Sequence, residues 1–498
     1  MNIAHLLTEA APRRAEHPAF EFEGRVFTYA ELDRRTGRCA HAFERLDAGR
    51  ERVVAIFLDS SPELLVAYLG ALKAGAVPNV VNGALQPVEV QHIVADSDAR
   101  VLVTDPERWA ALGSMREGLG VRHVLLTGEG GPVEGTRPFV AALAEAPERF
   151  EALDLPEDTL ASLLYTSGTT GKPKGVMLSH LNIVDNARTF ARVHYAPDDR
   201  LLITAPLFHC WGLINGTLGS FSAGGTAIAV RRFRTESVLD LIESARPTAM
   251  MGVPTMFNYL ARSPTIARRD LSSLRFVLSA AAPTPLELIE VLRRDWGVGY
   301  AESYGLTETS PVITTTHHSR NRPGSCGRAM GDTVLKVADS EGRPLAVGSV
   351  GELWARGTAI AAGYYKRPDA TAAVFTHDGW FKTGDIVTMD DEGYVTIVDR
   401  AKDMINVGGE KAYPRDVEEV LHRHPAIADA VVIGVPHPDL GEVPKAFIVL
   451  NPGSRLSAEE AIAFVRPVLA SFKIPRSIEF LDAIPRSPSG KALRRLLR

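Results

Sequence analysis

The sequence predicts an α/β protein with a large body of parallel-rich sheets, a β-rich closing region and a small α+β unit at the C-terminal end. Short Val, Ile and Leu runs alternate with longer amphipathic stretches through the first half of the chain. Glycine-punctuated strands take over from about Thr333, and the charged run Asp399-Arg400-Ala401-Lys402-Asp403 interrupts them before a last stretch with its own strand and helix patterns. Strand and helix in alternation favour parallel sheets covered by helices.

Taken in order, residues 52–58 read as a strand and 61–74 as the helix after it. Ser61 is a hydroxyl N-cap, Pro62 suits the first turn, Glu63 is an early carboxylate and Gly75 ends the helix. The apolar run at 160–165 reads as a buried strand. Similar strand and helix units recur near Leu201, Thr226, Ala249 and Phe276, and residues 350–355 and 393–398 read as strands of the β-rich region. In the terminal unit, 414–422 and 458–469 read as helices and 430–435, 445–449 and 478–481 as strands, with a basic helix from Ala492. The chain divides into residues 1–400 and 401–498.

At 498 residues, 45% of them hydrophobic, the chain can bury a substantial core in two to four domains. Lys plus Arg number 55 against 60 Asp plus Glu, a net charge of -5 with no basic block, which speaks against nucleic acid. Cys39, Cys210 and Cys326 lie far apart, so neither a zinc site nor a disulfide framework is expected and a reducing cytoplasm fits best. No signal peptide and no transmembrane helix is read from the sequence.

Chemistry concentrates in Tyr165-Thr166-Ser167-Gly168-Thr169-Thr170-Gly171-Lys172-Pro173-Lys174-Gly175. Its glycines open backbone N–H groups to close approach, its hydroxyls donate to phosphate oxygens and its lysines neutralise charge, a composition suited to a polyphosphate. It is no Walker A loop: Gly168 and Gly171 are too close, and Pro173 stands where a magnesium-binding hydroxyl belongs. Tyr304-Gly305-Leu306-Thr307-Glu308-Thr309 adds an aromatic face, a hydroxyl and a carboxylate, an assortment suited to a nucleotide and a hard cation. Lys382-Thr383-Gly384-Asp385 ends in an exposed-looking Gly-Asp turn, with Asp399-Arg400 one hairpin later. Pro206-Leu207-Phe208-His209-Cys210-Trp211-Gly212 follows a strand, Val407-Gly408-Gly409-Glu410 offers a paired glycine, and Pro485-Arg486-Ser487-Pro488-Ser489-Gly490-Lys491 sets one lysine on a tight turn.

These motifs, in this order and over nearly the whole chain, resemble the adenylate-forming superfamily of acyl-CoA synthetases, aryl-CoA ligases, luciferases and peptide-synthetase adenylation domains. The resemblance implies an AMP-dependent acyl-CoA synthetase. Its N-terminal adenylate-forming domain would hold two α/β subdomains and a β-barrel-like subdomain, and a small C-terminal α+β lid would move against it. A fatty or aromatic monocarboxylate would attack the α-phosphate of Mg-ATP to give acyl-AMP and pyrophosphate, and the CoA thiolate would then displace AMP. ATP, Mg2+ and coenzyme A are implied, and a homodimer is compatible with the resemblance.

By the same resemblance Thr166, Ser167, Gly168, Thr169, Thr170, Gly171 and Lys174 hold the phosphates, Tyr304 lies against adenine, Thr307 meets the α-phosphate and Glu308 binds magnesium. Asp385 takes both ribose hydroxyls, Arg400 supports ribose or phosphate, Lys402 is the pivot of the lid, and Lys491 stabilises charge during adenylation. His209 lies beside the acyl carboxylate and the CoA channel, with a satisfied structural histidine as the rival reading. Trp211 packs against the organic part of the acid and its bulk shortens or flattens the pocket, while Val253, Ala280, Ala281, Gly305 and Pro311 form small, apolar walls, core packing being the alternative for these. Gly408 and Gly409 line the pantetheine tunnel or, on the rival reading, close a hairpin. No Asp stands where amino-acid-activating relatives pair the substrate ammonium, and Lys411-Ala412 departs from the usual small polar and β-branched pair. Loading of a carrier-protein phosphopantetheine, a luciferase-like oxygenase and a silent binding scaffold remain alternatives on the sequence.

Overall fold

A computed structural model describes residues 1–128, 133–166, 173–400, 403–408, 410–486 and 492–497, and of Arg400 the backbone alone. Two large sheets face one another in the body. In the first, Arg137–Pro138, His123–Leu126, Ala99–Thr104, Val53–Phe57, Val77–Val80 and Leu160–Thr166 lie side by side in parallel, and Lys174–Ser179 turns back antiparallel on the edge. In the second, Thr226–Ala229, Arg200–Ile203, Ala249–Gly252, Phe276–Ser279 and Gly299–Gly305 run parallel, followed by antiparallel Val312–Thr315 and Arg328–Ala329. The hairpin Pro18–Phe22 and Arg25–Thr28 completes the other edge through parallel pairing with Thr226–Ala229. Parallel sheets need apolar cover on both faces. One core of residues such as Phe20, Phe43, Ile56, Tyr68, Phe190 and Ile203 fills the space between the sheets, and separate clusters around Leu239 and Ile93 cover the outer faces.

The helix Pro62–Lys73 shows why these residues take these places. Ser61 Oγ accepts from the Leu64 N–H at 3.1 Å, Pro62 opens the first turn, and Gly75 takes φ +71 just beyond the end. Leu64, Leu65, Leu69 and Leu72 are wholly buried, each removing apolar area worth about 1.5–3 kcal/mol from water. Lys73 is buried with them, and its Nζ reaches Asp33 Oδ1 at 2.6 Å.

After the second sheet, Val334–Ala338, Gly351–Arg356, Phe381–Met389 and Val395–Arg400 form a four-stranded antiparallel meander. The terminal unit packs the helices Pro414–His422 and Ala458–Val465 on a sheet of Ile405–Val407, Glu410–Ala412, Ile427–His437, Gly441–Leu450 and Ser477–Phe480. The expected helix from Ala492 is not formed. Ala492 bridges to Arg486, and the described residues after it make only the 3-10 turn Arg494–Leu496, because the stretch has neither a cap nor the length a helix needs. The terminal unit is joined to the meander by charged groups: the Arg415 N–H donates to Asp399 Oδ2 at 3.0 Å, and the Arg415 guanidinium reaches the Ile397 carbonyl.

Glu302, on the strand Gly299–Gly305, is 7% exposed, accepts from the Tyr300 hydroxyl at 2.7 Å, and burial pushes its carboxyl up to about 7. A carboxyl whose folded pKa is raised contributes stability that is complete below its unfolded pKa and is lost as pH rises through the folded one. Glu302→Gln is therefore expected to melt with the wild type at pH 4 and above it at pH 8. With a rise from 4.5 to about 7 the difference is on the order of 3 kcal/mol. Equal melting curves at both pH values would refute the assignment.

Candidate active site

Strand ends of both large sheets come together here. Leu160–Thr166 and Lys174–Ser179 pair antiparallel with Thr166 opposite Lys174, so both flanks of the hydroxyl- and glycine-rich loop sit at the edge of the first sheet. The segment Gly363 to Tyr365 lies along this hairpin: the Met177 N–H donates to the Gly363 carbonyl at 2.9 Å and the Tyr365 N–H to that of Gly175 at 2.8 Å. Tyr364 thereby comes between two of the expected residues. Lys174 Nζ lies 5.1 Å from its ring centroid, and its hydroxyl donates to Glu308 Oε1 at 2.8 Å. Burial and the Glu308 carboxylate hold the Tyr364 hydroxyl well above its ordinary pKa, so it remains a donor. Sequence reasoning missed Tyr364. The available signal was the aromatic pair directly after Gly363; in the structure that glycine takes φ +135, and a Cβ there would run into the Thr371 side chain.

At the end of Gly299–Gly305 the Tyr304 ring is buried among Ile313, Leu353, Ala355 and Ala359, and its hydroxyl donates to Asp385 Oδ2 at 2.5 Å. Asp385 was expected on an exposed turn; instead it is 2% exposed within the strand Phe381–Met389, with Gly384 at φ +71 before it. The correction has a local cause, since the Thr383 hydroxyl donates to the Leu353 carbonyl and accepts from the Asp385 N–H, which keeps the Gly-Asp pair in the sheet. Arg400 stands opposite Asp385 in the meander register. Thr307 and Glu308 follow on the 3-10 turn Thr307–Thr309, and Thr307 Oγ1 lies 3.7 Å from Cys210 Sγ.

That contact draws in the segment after Arg200–Ile203. His209 is half-buried beside Phe208, and its N–H donates to the Pro206 carbonyl at 3.0 Å. Trp211 opens the π-helix Trp211–Leu218, is buried, and meets the Phe190 ring edge-on at 5.4 Å. Val253, Ala280 and Gly305 stand at the carboxyl ends of three neighbouring parallel strands, next to the strand that leads to His209. Open α/β sheets bind ligands at such ends. Val253 and Ala280 are buried, as is Pro311, whereas Ala281 is exposed at φ +73. Gly305 has no room for a side chain: a Cβ there would lie 1.7 Å from the Pro311 carbonyl oxygen. Beneath this wall two further residues unnoticed in the sequence, Asn186 and Asn215, form a buried amide pair.

Gly408, at φ +61, turns the hairpin between Ile405–Val407 and Glu410–Ala412, and its N–H donates to the Leu440 carbonyl at 2.8 Å. Ser167, Gly168, Thr169, Thr170, Gly171, Lys402, Gly409 and Lys491 lie outside the described residues. Among the described residues no three His, Cys, Asp or Glu side chains are grouped to hold a metal by themselves. Glu308 supplies a hard carboxylate oxygen beside the phosphate-loop flank, which fits a Mg2+ ion that takes one or two carboxylates and completes its shell with phosphates and water.

A family model described as AMP-binding enzyme matches residues 7–365, and one described as AMP-binding enzyme C-terminal domain matches residues 416–491. Feruloyl-CoA synthase from Amycolatopsis sp is 38% identical over 474 residues, spanning 95% of this chain and 93% of its own. Among solved structures, the anthranilate CoA ligase AuaEII in complex with anthranoyl-AMP superimposes with a TM-score of 0.95 at 29% identity, covering 100% of this chain and 96% of that one. ATP-bound MatB from Rhodopseudomonas palustris gives 0.91 at 33% identity, covering 100% and 98%.

Proposed function

The chain belongs to the AMP-binding enzyme family, and from that premise we propose how its residues divide the work of an AMP-forming acid–thiol ligase. It is an acyl-CoA synthetase: a carboxylate is activated with ATP as acyl-AMP, pyrophosphate leaves, and CoA takes the acyl group as AMP leaves. The acid, on our reading, is an aromatic monocarboxylate. The carrying observation is the convergence of Tyr304–Asp385, Lys174–Tyr364–Glu308 and the small walls Val253, Ala280 and Gly305 at adjoining strand ends. The feruloyl and anthranoyl groups named for two relatives support an aromatic ring. Those relatives are CoA enzymes, which disfavours loading of a carrier protein.

Adenylation gathers negative charge on the transferring α-phosphate, and cations fixed in advance lower its barrier. Lys174 is held over the Tyr364 ring near the β- and γ-phosphate end, Thr307 donates to the α-phosphate, and Lys491 brings the second cation from the terminal unit. Mg2+ held at Glu308 would supply further neutralisation of the phosphates. His209 flanks the carboxylate. Removing Lys491 from the site and presenting the Gly408 and Gly409 face, by rotation of residues 401–498 about Lys402, would let one pocket serve both half-reactions. No described helix is long and apolar enough to cross a membrane. We place the enzyme in the cytoplasm on its three scattered cysteines, which suit a reducing compartment.

Purified protein with Mg-ATP, CoA and a panel of aryl, fatty, dicarboxylic and amino acids is expected to form AMP and an aryl-CoA thioester by mass spectrometry. Thioester from fatty acids alone would overturn the aromatic assignment. Acyl-AMP without thioester would point to a carrier-protein acceptor.

Asp385→Asn keeps the shape of the ribose site but removes the charge that strengthens its hydrogen bonds, a difference on the order of 1 kcal/mol for each of the two ribose hydroxyls. The KM for ATP is expected to rise about tenfold or more, by that figure, with a smaller change in kcat. An unchanged KM for ATP would remove Asp385 from the nucleotide site.

A further inference from the structure

Asp399 and Arg415 join the terminal unit to the body, and the role inferred for them rests on the reading that this unit stands in one orientation for adenylation and in another for thioester formation. The helix Pro414–His422 begins after Tyr413 with no side-chain cap from its own segment. The first N–H groups of a helix have no partner inside it. The Arg415 N–H finds one across the unit boundary: Asp399 Oδ2, at 3.0 Å, on the last strand of the meander. Asp399 is 5% exposed, so a buried carboxylate of the body caps a helix of the terminal unit, and its charge suits the positive end of that helix. The Arg415 guanidinium returns the contact by donating to the Ile397 carbonyl on the same strand. Glu419, one turn along the helix, accepts from Arg415 Nε at 2.8 Å and fixes the direction of the guanidinium.

The register of the terminal sheet points to the orientation in which these contacts are made. Arg486 bridges to Ala492 and reaches Asp429, which pairs with Val449, so the lysine segment is rooted at the Leu450 end of Gly441–Leu450. That end also touches the body. Arg262 Nη1, just beyond the helix Pro254–Ala261, donates to Asn451 Oδ1 at 3.1 Å. Gly408 belongs to the opposite end, where Val407 pairs with Gly441. The strand rises about 27 Å between Gly441 and Val449. The root of the lysine segment thus faces the body beside the helix that follows Val253, with the glycine hairpin at the far end, which is the arrangement adenylation needs.

We propose that Asp399 and Arg415 are positioning residues that latch the terminal unit in its adenylation orientation. The cap and the guanidinium contact form there, and both break when residues 401–498 turn about Lys402 and carry Pro414–His422 away from Val395–Arg400. Bonds made in one orientation and absent from the other set the balance between the two.

The test measures the half-reactions separately, as acid-dependent exchange of pyrophosphate into ATP and as thioester formation from supplied acyl-AMP and CoA, using the acid that wild type turns over fastest. Each rate follows the share of enzyme in its own orientation, so their ratio reports the balance whichever orientation predominates. Asp399→Ala is expected to lower the ratio of exchange to thioester formation about fivefold, the usual weight of an N-cap. Arg415→Ala, at a side chain 19% exposed, is expected to lower it in the same sense and serves where Asp399→Ala does not fold. Asp399→Asn can still accept from the Arg415 N–H and should stay within about twofold of wild type. A merely structural role would slow both half-reactions together, and equal loss in both overturns the latch. So does a ratio that is unchanged or raised in a folded alanine variant, or an Asp399→Asn ratio as low as that of Asp399→Ala. Absence of acyl-AMP and thioester from wild type with every acid of the panel overturns the ligase reading itself, and the latch with it.

Discussion

Lys491→Ala is expected to abolish acyl-AMP formation, lowering acid-dependent exchange of pyrophosphate into ATP by about 10²–10³-fold, the usual cost of losing one fixed donor to a developing oxyanion. Thioester formation from supplied acyl-AMP and CoA should stay within a few-fold of wild type, because that half-reaction is assigned to the opposite face of the terminal unit. The base of the lysine segment is well anchored. Arg486 bridges to Ala492 and its guanidinium reaches Asp429 Oδ2 at 2.6 Å, fastening the segment to the strand Ile427–His437. Loss of the side chain should therefore remove a charge and leave the fold. Unaltered exchange in the variant would take Lys491 out of the chemistry, and equal loss of both half-reactions would deny that the two steps use different faces.

Glu308→Gln is expected to cut adenylation by about 10²-fold and to raise the Mg2+ concentration needed for half-maximal rate, since an amide oxygen is a weaker ligand for a hard cation than a carboxylate. The geometry predicts little damage to the protein itself. The Tyr364 hydroxyl, 2.8 Å from Oε1, can donate to an amide oxygen as it does to the carboxylate. Tyr364→Phe provides the contrast: it keeps the charge on Glu308 and the ring under Lys174, so only a small loss in rate should follow. If Glu308→Gln retains the wild-type rate and Mg2+ dependence, the metal is held elsewhere.

Local chemistry was legible in the sequence, and contacts distant along the chain were not. Ser61, Pro62 and Gly75 mark the ends of Pro62–Lys73 because capping acts within a turn, and residues 414–422 were read with their observed bounds, whereas the helix read over 458–469 ends at Val465. The strand leading to Thr166 was foreseen through its apolar run, whereas Gly299–Gly305, interrupted by Glu302 and Ser303, has no such run and was not read as a strand. Asp385 was misjudged because Gly-Asp favours turns over strands; the Thr383 bond to the Leu353 carbonyl keeps the pair in the sheet, and Tyr304, 81 residues away, meets the carboxylate inside. Tyr364 and the Asn186–Asn215 pair escaped for the same reason, since nothing in their own neighbourhoods states which carbonyl or carboxylate they will meet. The hairpin of Pro18–Phe22 and Arg25–Thr28 likewise adds an edge to a sheet whose other strands begin at Arg200, a pairing that topology rather than pattern decides.

Gly305 carries a consequence for how such enzymes diverge. Because the Pro311 carbonyl occupies the place of a Cβ at that position, even alanine is excluded unless the main chain moves, and this part of the wall is backbone that mutation cannot reshape one atom at a time. On the proposed wall, a descendant that adapts to a slimmer or broader acid must change somewhere else, and Val253, Ala280 and Trp211 are the buried side chains along which its ancestry would be recorded.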